Sequence, residues 1–338
     1  MQKWPLRYGM NSGAGKPLLV SILVPSYNYR ATLPAALDSI LRQTYPCSEI
    51  IIADDGSRDD SLAIAYEYSE RYPGKIRVVT HPGRKHEGLE KTYRLALSQA
   101  RGEIIAFLEA DDGWHPEKLA LMAEVFCRRP EVGVVYSDYQ PFGHFWGSCY
   151  WKIYSWANRF STPAHRPIPM LRPLLVRNPV ASFSHFAVRR GLLDEVPVYE
   201  SKSLPGNFDW WVLAHLSLRT RFYFIPEKLS YWRIHPGSAG YGRVTVKTLW
   251  RLHLFLRWLA RSLGAMDHLL RATDPPDEED TLIRRAHIKR ALLFQNMIYH
   301  RRKVRLFFKI LAHPVASLRF FCYIALKNLL VLPAGTSQ

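Results

Sequence analysis

Four short apolar runs each stop abruptly at polar or acidic residues. Leu18 to Val24 ends in Pro25-Ser26-Tyr27-Asn28, and Glu49 to Ala53 ends in Asp54-Asp55-Gly56-Ser57. Ile76 to Val79 is the third run, and Glu103 to Leu108 leads straight into Glu109-Ala110-Asp111-Asp112. Runs this short and this continuously apolar suit parallel strands buried on both faces. Between them, Leu33, Ala36, Leu37, Ile40 and Leu41 share one helical face. Ser61 to Tyr72, Leu89 to Arg101 and Pro116 to Arg129 read as further helices, and Val132 to Ser137 as a fifth strand. This alternation predicts an α/β fold with a doubly wound, mostly parallel sheet and right-handed crossovers. Ligands of such sheets sit at the carboxyl ends of the strands. Asn28, Asp54, Asp55 and Asp111 are therefore expected to converge on one crevice.

The acids after Leu108 carry the most chemistry. Three carboxylates packed this closely at a strand end repel one another and resist desolvation. They are tolerable when solvated, hydrogen-bonded or shared by a divalent cation, and hard oxygen ligands suit Mg²⁺ or Mn²⁺. The other reading is an acidic turn before the next helix, since Asp112 precedes Gly113-Trp114-His115-Pro116.

Charge narrows the partners. The net charge is +17, and from Gly242 onward 17 Lys and Arg stand against 6 Asp and Glu. Such a surface attracts phosphates, whether on nucleic acid, anionic lipid or a small molecule. The basic residues interleave with aliphatics in helical patterns, and no nucleic-acid-binding motif accompanies them. No nucleic-acid partner is expected. The four cysteines form no CxxC pair, and Cys127 and Cys322 are expected as buried thiols.

Met1 to Lys16 lacks the apolar centre of a secretory leader, and no apolar run reaches the ~20 residues that span a bilayer. A cytoplasmic chain is expected, peripheral at the inner face of the membrane if its basic tail meets lipid. Gly9 to Lys16 is not a phosphate-binding loop, because it precedes the first strand and Pro17 stands where Ser or Thr belongs. No G-x-G-x-x-G follows a strand, which argues against a dinucleotide-dependent oxidoreductase.

Gln140 to Pro205 is rich in Pro, Trp and Tyr and reads as loops and short strands. Asp209 to Leu218 reads as a helix, and Phe222 to Ile225 and Leu229 to Ile234 as strands. Val244 to Leu263, Thr281 to Leu311 and Val315 to Leu332 read as helices, with the acidic, proline-containing Asp274 to Asp280 between the first two.

Four segments in order give a specific pattern: Val20 to Asn28; Ala53-Asp54-Asp55-Gly56-Ser57; Gly88 ahead of a helix that ends Ala100-Arg101-Gly102-Glu103; and Leu108-Glu109-Ala110-Asp111-Asp112. In this the chain resembles glycosyltransferase family 2, the inverting enzymes of the GT-A fold. The resemblance covers about residues 18–240 and implies an organisation: a tail over 1–17, a GT-A domain over 18–240 and a basic helical region over 241–338. Within the domain, 18–138 would be the nucleotide-binding half and 139–240 the acceptor half.

The resemblance also implies roles. Pro25, Tyr27, Asn28, Asp54, Asp55 and Gly88 would line the nucleotide site, with Tyr27 and Asp54 or Asp55 holding nucleobase and ribose. Glu109-Ala110-Asp111 stands where the family has Asp-x-Asp. Glu109 would touch ribose, and Asp111, with Asp112, would bind a divalent metal, Mn²⁺ or Mg²⁺, on the diphosphate. Arg233 and His235, in Tyr231-Trp232-Arg233-Ile234-His235, would contact the diphosphate, with His235 a metal ligand. The family's general base would fall in Gly206-Asn207-Phe208-Asp209. Asn207 occupies its place and cannot accept a proton, so Asp209 is the nearest substitute, with His185 or Asp138 as other bases.

The partners so implied are a UDP-, GDP- or dTDP-sugar donor and a saccharide or lipid-linked acceptor, in surface polysaccharide or glycolipid synthesis. The basic tail, through Phe307, Phe308, Phe320 and Phe321, could meet an anionic membrane surface. Glu109 and Asn207 leave open a catalytically impaired sugar-nucleotide-binding or scaffold protein.

Overall fold

The computed structural model describes residues 17–46, 48–144, 148–149, 151–152, 155–156, 162–170, 173–174, 178–194, 196 and 208–235. The C-terminal helices expected after Val244, and Asn207, lie outside the described residues.

Strands β1 (Val20–Ser26), β2 (Ser48–Asp54), β3 (Ile76–Thr80) and β4 (Ile104–Phe107) pair in parallel in the order β3-β2-β1-β4. The chain leaves β1 toward β2 and β3, then returns to place β4 on the other side of β1. This reversal makes the β1/β4 edge a topological switch point, where open α/β sheets bind ligands. Both faces of β1, β2 and β4 are buried, and the edge strand β3 is half-buried beyond Ile76. Leu23, Ile51, Ala53, Ile105 and Phe107 point to one core, and Ile22, Val24, Ile50, Ile52 and Ala106 to the other.

Helix α3 (Leu89–Gln99) covers the first core with Tyr93 and Ala96. Helices α1 (Leu33–Leu41), α2 (Ser61–Arg71) and α4 (Lys118–Arg128) cover the second through residues such as Leu37, Ile40, Ala65, Leu119 and Phe126. Each buried Leu or Ile contributes about 1.5–3 kcal/mol, so the period-3.6 stripes read from the sequence are what hold the helices down. Cys127 departs from expectation. It follows Phe126 by one residue, about 100° further round α4, and is exposed.

The second half of the sheet differs from the predicted pattern. Strand β8 (Phe186–Arg189) runs antiparallel between β4 and β6 (Val132–Gly143). Strand β9 (Arg221–Ile234) pairs with β6 in parallel, while β5 (Gly113–Trp114) and β7 (Pro167–Ile168) lie antiparallel to β9. The sheet is thus mixed, parallel from β3 to β4 and of both senses beyond. The two strands expected at Phe222 to Ile225 and Leu229 to Ile234 are one strand, because β6 changes register around Ser137 to Tyr139 and absorbs the irregularity opposite Pro226 and Glu227. Helix α5 (Phe208–Leu216) packs Phe208, Leu213 and Leu216 into the same core as α3.

Gly102 permits the entry into β4. A Cβ there would lie 2.5 Å from the Ser21 nitrogen and 2.7 Å from the Leu19 oxygen. No helix among the described residues is long and apolar enough to cross a membrane.

Candidate active site

The turns after β1 and β2 are laced together. The backbone N–H of Asn28 donates to Ser57 Oγ at 3.0 Å, and Arg58 N–H donates to Asn28 Oδ1 at 2.8 Å. Tyr29 N–H donates to Ser61 Oγ at 2.7 Å. Asn28 adopts φ 59°, a left-handed conformation that Asn tolerates better than most residues. Pro25 is buried at the end of β1.

Asp54 closes its own turn. Its Oδ2 accepts the N–H groups of Gly56 and Ser57 at 3.0 and 2.9 Å, while its Oδ1 is buried without a hydrogen-bond partner. Asp55 reaches sideways to the start of α3. Its carboxylate accepts the N–H of Glu87 at 2.7 Å and of Gly88 at 3.0 Å. An acid placed there favours the positive end of the helix dipole. Tyr27 stacks on His86, with centroids 4.1 Å apart and planes 27° apart.

A cluster of acids that are neighbours in sequence stands at the end of β4. Glu109, Asp111 and Asp112 each present a carboxylate oxygen, and these atoms all lie within 4.8 Å of one another. Ala110 is buried among them. Ser182 Oγ donates to Glu109 Oε2 at 3.0 Å, and Glu109 N–H donates to Ser184 Oγ at 3.0 Å. Strand β9 supplies the other side. Arg233 N–H donates to Asp112 Oδ1 at 2.9 Å, and Arg233 Nε donates to the Asp111 carbonyl at 3.0 Å. His235 Nε2 lies 2.9 Å from Asp111 Oδ2, so the imidazole reaches the cluster through Asp111.

Asp112 Oδ2 is buried and has no hydrogen-bond partner. Burial, reinforced by the charges of Asp111 and Glu109, pushes the Asp112 carboxyl well above the usual range. An orphaned buried carboxylate oxygen beside two further carboxylates is costly unless protonated or bound to a cation. The donor set is hard oxygen throughout, as Mg²⁺ or Mn²⁺ requires. The residues present therefore fit a divalent cation.

Sequence reasoning missed the groups packed around the acids. Burial, followed by Asp111, Glu109 and Asp112, pushes the Tyr29 hydroxyl far above its ordinary value. Burial and then Glu109, Asp112 and Asp209 do the same to Tyr93, whose hydroxyl is buried without a hydrogen-bond partner. Both phenols stay neutral beside the acids. Lys118 is fully buried, and its Nζ donates to the Ser184 carbonyl and to Ser230 Oγ, each at 2.5 Å. Burial depresses its basicity, and Asp112 opposes that shift. Ser184 thus joins Glu109, Lys118, Trp114 (Nε1 to the Ser184 carbonyl, 2.8 Å) and β9. No local pattern in the sequence marks Lys118 or Ser184.

Among the candidate bases, Asp209 sits in the first turn of α5, and Asn178 Nδ2 donates to its Oδ2 at 2.9 Å. Its chain neighbour Phe208 packs near Tyr93, with ring centroids 6.3 Å apart. His185 is unsuited to the role. It is fully buried, its Nδ1 donates to the Val180 carbonyl at 2.7 Å, and Tyr139 stacks on it. Burial, then the charge of Lys118, holds it down at about 3. Asp138 is buried and accepts from Ser155 Oγ at 2.6 Å and from Tyr139 N–H at 2.9 Å. Lys91 and Arg94, on α3, are exposed.

Residues 21–196, just over half the chain, match the family model Glycosyl transferase family 2. The UDP-Glc:α-D-GlcNAc-diphosphoundecaprenol β-1,3-glucosyltransferase WfgD of Escherichia coli is 34% identical over 122 residues, 36% of this chain and 46% of that protein. The putative teichuronic acid biosynthesis glycosyltransferase TuaG of Bacillus subtilis is 37% identical over 114 residues, 34% of this chain and 44% of that protein. The chain thus spans less than half the length of either relative. Among solved structures, S. aureus TarS 1-349 in complex with UDP-GlcNAc superposes with a TM-score of 0.53 at 18% identity, covering 94% of this chain and 82% of that one. That likeness concerns the fold.

Proposed function

The chain belongs to glycosyl transferase family 2, and on that premise we propose that it moves a sugar from a nucleoside-diphosphate sugar to an acceptor hydroxyl, with inversion. The observation that carries this reading is the acidic cluster after β4, where a carboxylate oxygen of each acid lies within 4.8 Å of the others and Asp112 Oδ2 is buried without a hydrogen-bond partner.

Glu109, Asp111 and Asp112 would hold Mn²⁺ or Mg²⁺. When bound, the cation would neutralise charge on the departing diphosphate. The chain's own residues do the rest. Tyr27, Asn28 and the turns at Asp54, Asp55 and Gly88 bind the nucleoside, and Ser182 orients Glu109 toward the ribose. Arg233, anchored on the Asp111 carbonyl, adds positive charge beside the diphosphate, and His235 holds the Asp111 carboxylate. Asp209, oriented by Asn178, accepts the proton of the acceptor hydroxyl as the sugar's anomeric carbon is attacked.

The donor is a UDP-, GDP- or dTDP-sugar. The acceptor is a saccharide or a lipid-linked glycan, in keeping with the diphosphoundecaprenol acceptor in the name of the E. coli relative. The catalytic unit runs over residues 18–240. The basic region beyond it, through the charge after Gly242, would draw the protein to anionic lipid at the inner membrane face, where such an acceptor lies.

The test is turnover of UDP-, GDP- and dTDP-sugars with MnCl₂, followed as free nucleoside diphosphate. Release from one donor class, lost in Asp111→Ala, supports the reading. Donor binding with no release by the wild-type protein, alone or with acceptor glycans, points to a sugar-nucleotide-binding scaffold instead.

A further inference from the structure

The His86 imidazole makes two contacts that the proposed nucleobase would need. It stacks on Tyr27 at 4.1 Å. Its Nδ1 lies 2.9 Å from Asp55 Oδ2 and 3.3 Å from the Asp55 carbonyl oxygen. Both neighbours of Nδ1 are acceptors, so this nitrogen carries a proton and donates it. A base on Tyr27 that offered a ring N–H to the carboxylate would meet the same face and the same oxygen.

The remaining contacts of Asp55 are fixed. They go to the backbone N–H groups of Glu87 and Gly88, which open α3, and to the buried His81, whose Nε2 lies 3.6 Å from Asp55 Oδ1. The backbone around His86 is seated equally closely. Gly56 has φ +74°, and a Cβ on it would lie 2.6 Å from the Arg84 oxygen and 2.9 Å from the His86 nitrogen. The turn after β2 and the stretch 84–88 therefore meet backbone to backbone. The His86 side chain, by contrast, is 52% exposed. It is free to change rotamer while the backbone beneath it stays in place.

We propose that His86 holds the base slot in the donor-free protein and that the nucleobase of the donor displaces it. The inference rests on the donor site described under Proposed function and adds to it a residue that sets donor affinity. The incoming base must break one ring stack and one charge-assisted hydrogen bond before forming its own. Losing that competitor strengthens donor binding by about tenfold, the equivalent of about 1.4 kcal/mol.

Calorimetric titration of UDP, GDP and dTDP, each with MnCl₂, into the wild-type protein and His86→Ala tests this. The expected result is about tenfold tighter binding of the accepted nucleotide by the variant. In the wild-type protein the His86 Cε1–H resonance, shifted by the Tyr27 ring current, should move toward an unstacked position at saturation. This second measurement needs no variant. Equal or weaker binding by His86→Ala, or an unmoved His86 resonance in the nucleotide-saturated protein, overturns the role of His86 and leaves the donor site standing. Failure of both folded proteins to bind any of the three nucleotides overturns the donor site and this inference with it.

Discussion

His235 Nε2 and Asp111 Oδ2 lie 2.9 Å apart although 124 residues separate them in the chain. Strand β5, directly after the acids, pairs with β9 through Gly113 and Tyr231, so strand register delivers the imidazole to the cluster. A residue that orients a metal-binding carboxylate typically contributes 10–100-fold to metal affinity. His235→Ala should weaken Mn²⁺ binding by about that factor, read by titration of the free-Mn²⁺ electron paramagnetic resonance signal. Unchanged affinity would separate His235 from the cluster.

Asp112→Asn should act in two directions. With no cation present, the neutral amide removes one of three adjacent carboxylates from a buried site. The melting temperature of the metal-free protein should rise by about 2–4 °C, which corresponds to roughly 1 kcal/mol in a domain of this size. The further rise that MnCl₂ gives the wild-type protein by mass action should shrink or vanish in the variant. Melting curves with and without MnCl₂ measure both effects.

Asp209→Asn keeps an oxygen for Asn178 Nδ2 and removes the proton acceptor. Transfer should fall by about 10²–10⁴, while the dissociation constant for the nucleotide stays within about twofold. A loss confined to donor binding would move Asp209 out of the chemistry and into the pocket wall.

His185 predicts an acid-side loss of stability. Its folded-state value is held at about 3, below the ordinary 6.5, by burial and then Lys118. Above pH 6.5 the ring is neutral whether the chain is folded or not, so it adds no pH dependence there. As pH falls from about 6.5 toward 3, the unfolded chain takes up a proton that the folded one refuses. The unfolding free energy then drops by up to about 1.4 kcal/mol per pH unit. His185→Phe keeps the stack on Tyr139 but loses the hydrogen bond to Val180. It should be less stable than wild type at pH 8 by about 1–3 kcal/mol and show a shallower decline between pH 6 and 4. Denaturant titrations across that range give the slopes.

The first half of the fold was legible because its determinants are local. Ile50-Ile51-Ile52 and Ile104-Ile105 are continuous apolar runs that suit strands covered on both faces, and the acids after them fall where such a sheet exposes its strand ends. The second half was less legible. Strand β8 is four residues long, sits between β4 and β6 and is stabilised by partners distant in sequence. Pro226 made β9 look like two strands, and only the register shift in β6 makes it one.

At the site, the carboxylates could be read from their spacing. The groups that set their environment could not. Lys118 lies buried 66 residues from Ser184 in sequence, and His86 lies 31 residues from the carboxylate it contacts. Such pairings are consequences of packing, which one-dimensional patterns do not carry.

The central claim is that Glu109, Asp111 and Asp112 grip the donor diphosphate through a divalent cation. Isothermal titration of the preferred nucleoside diphosphate into the wild-type protein, in MnCl₂ and then in EDTA, tests it most directly. The account predicts micromolar-range binding with Mn²⁺ and at least roughly hundredfold weaker binding in EDTA, a difference of about 2.8 kcal/mol. Equal affinity in the two buffers would contradict it.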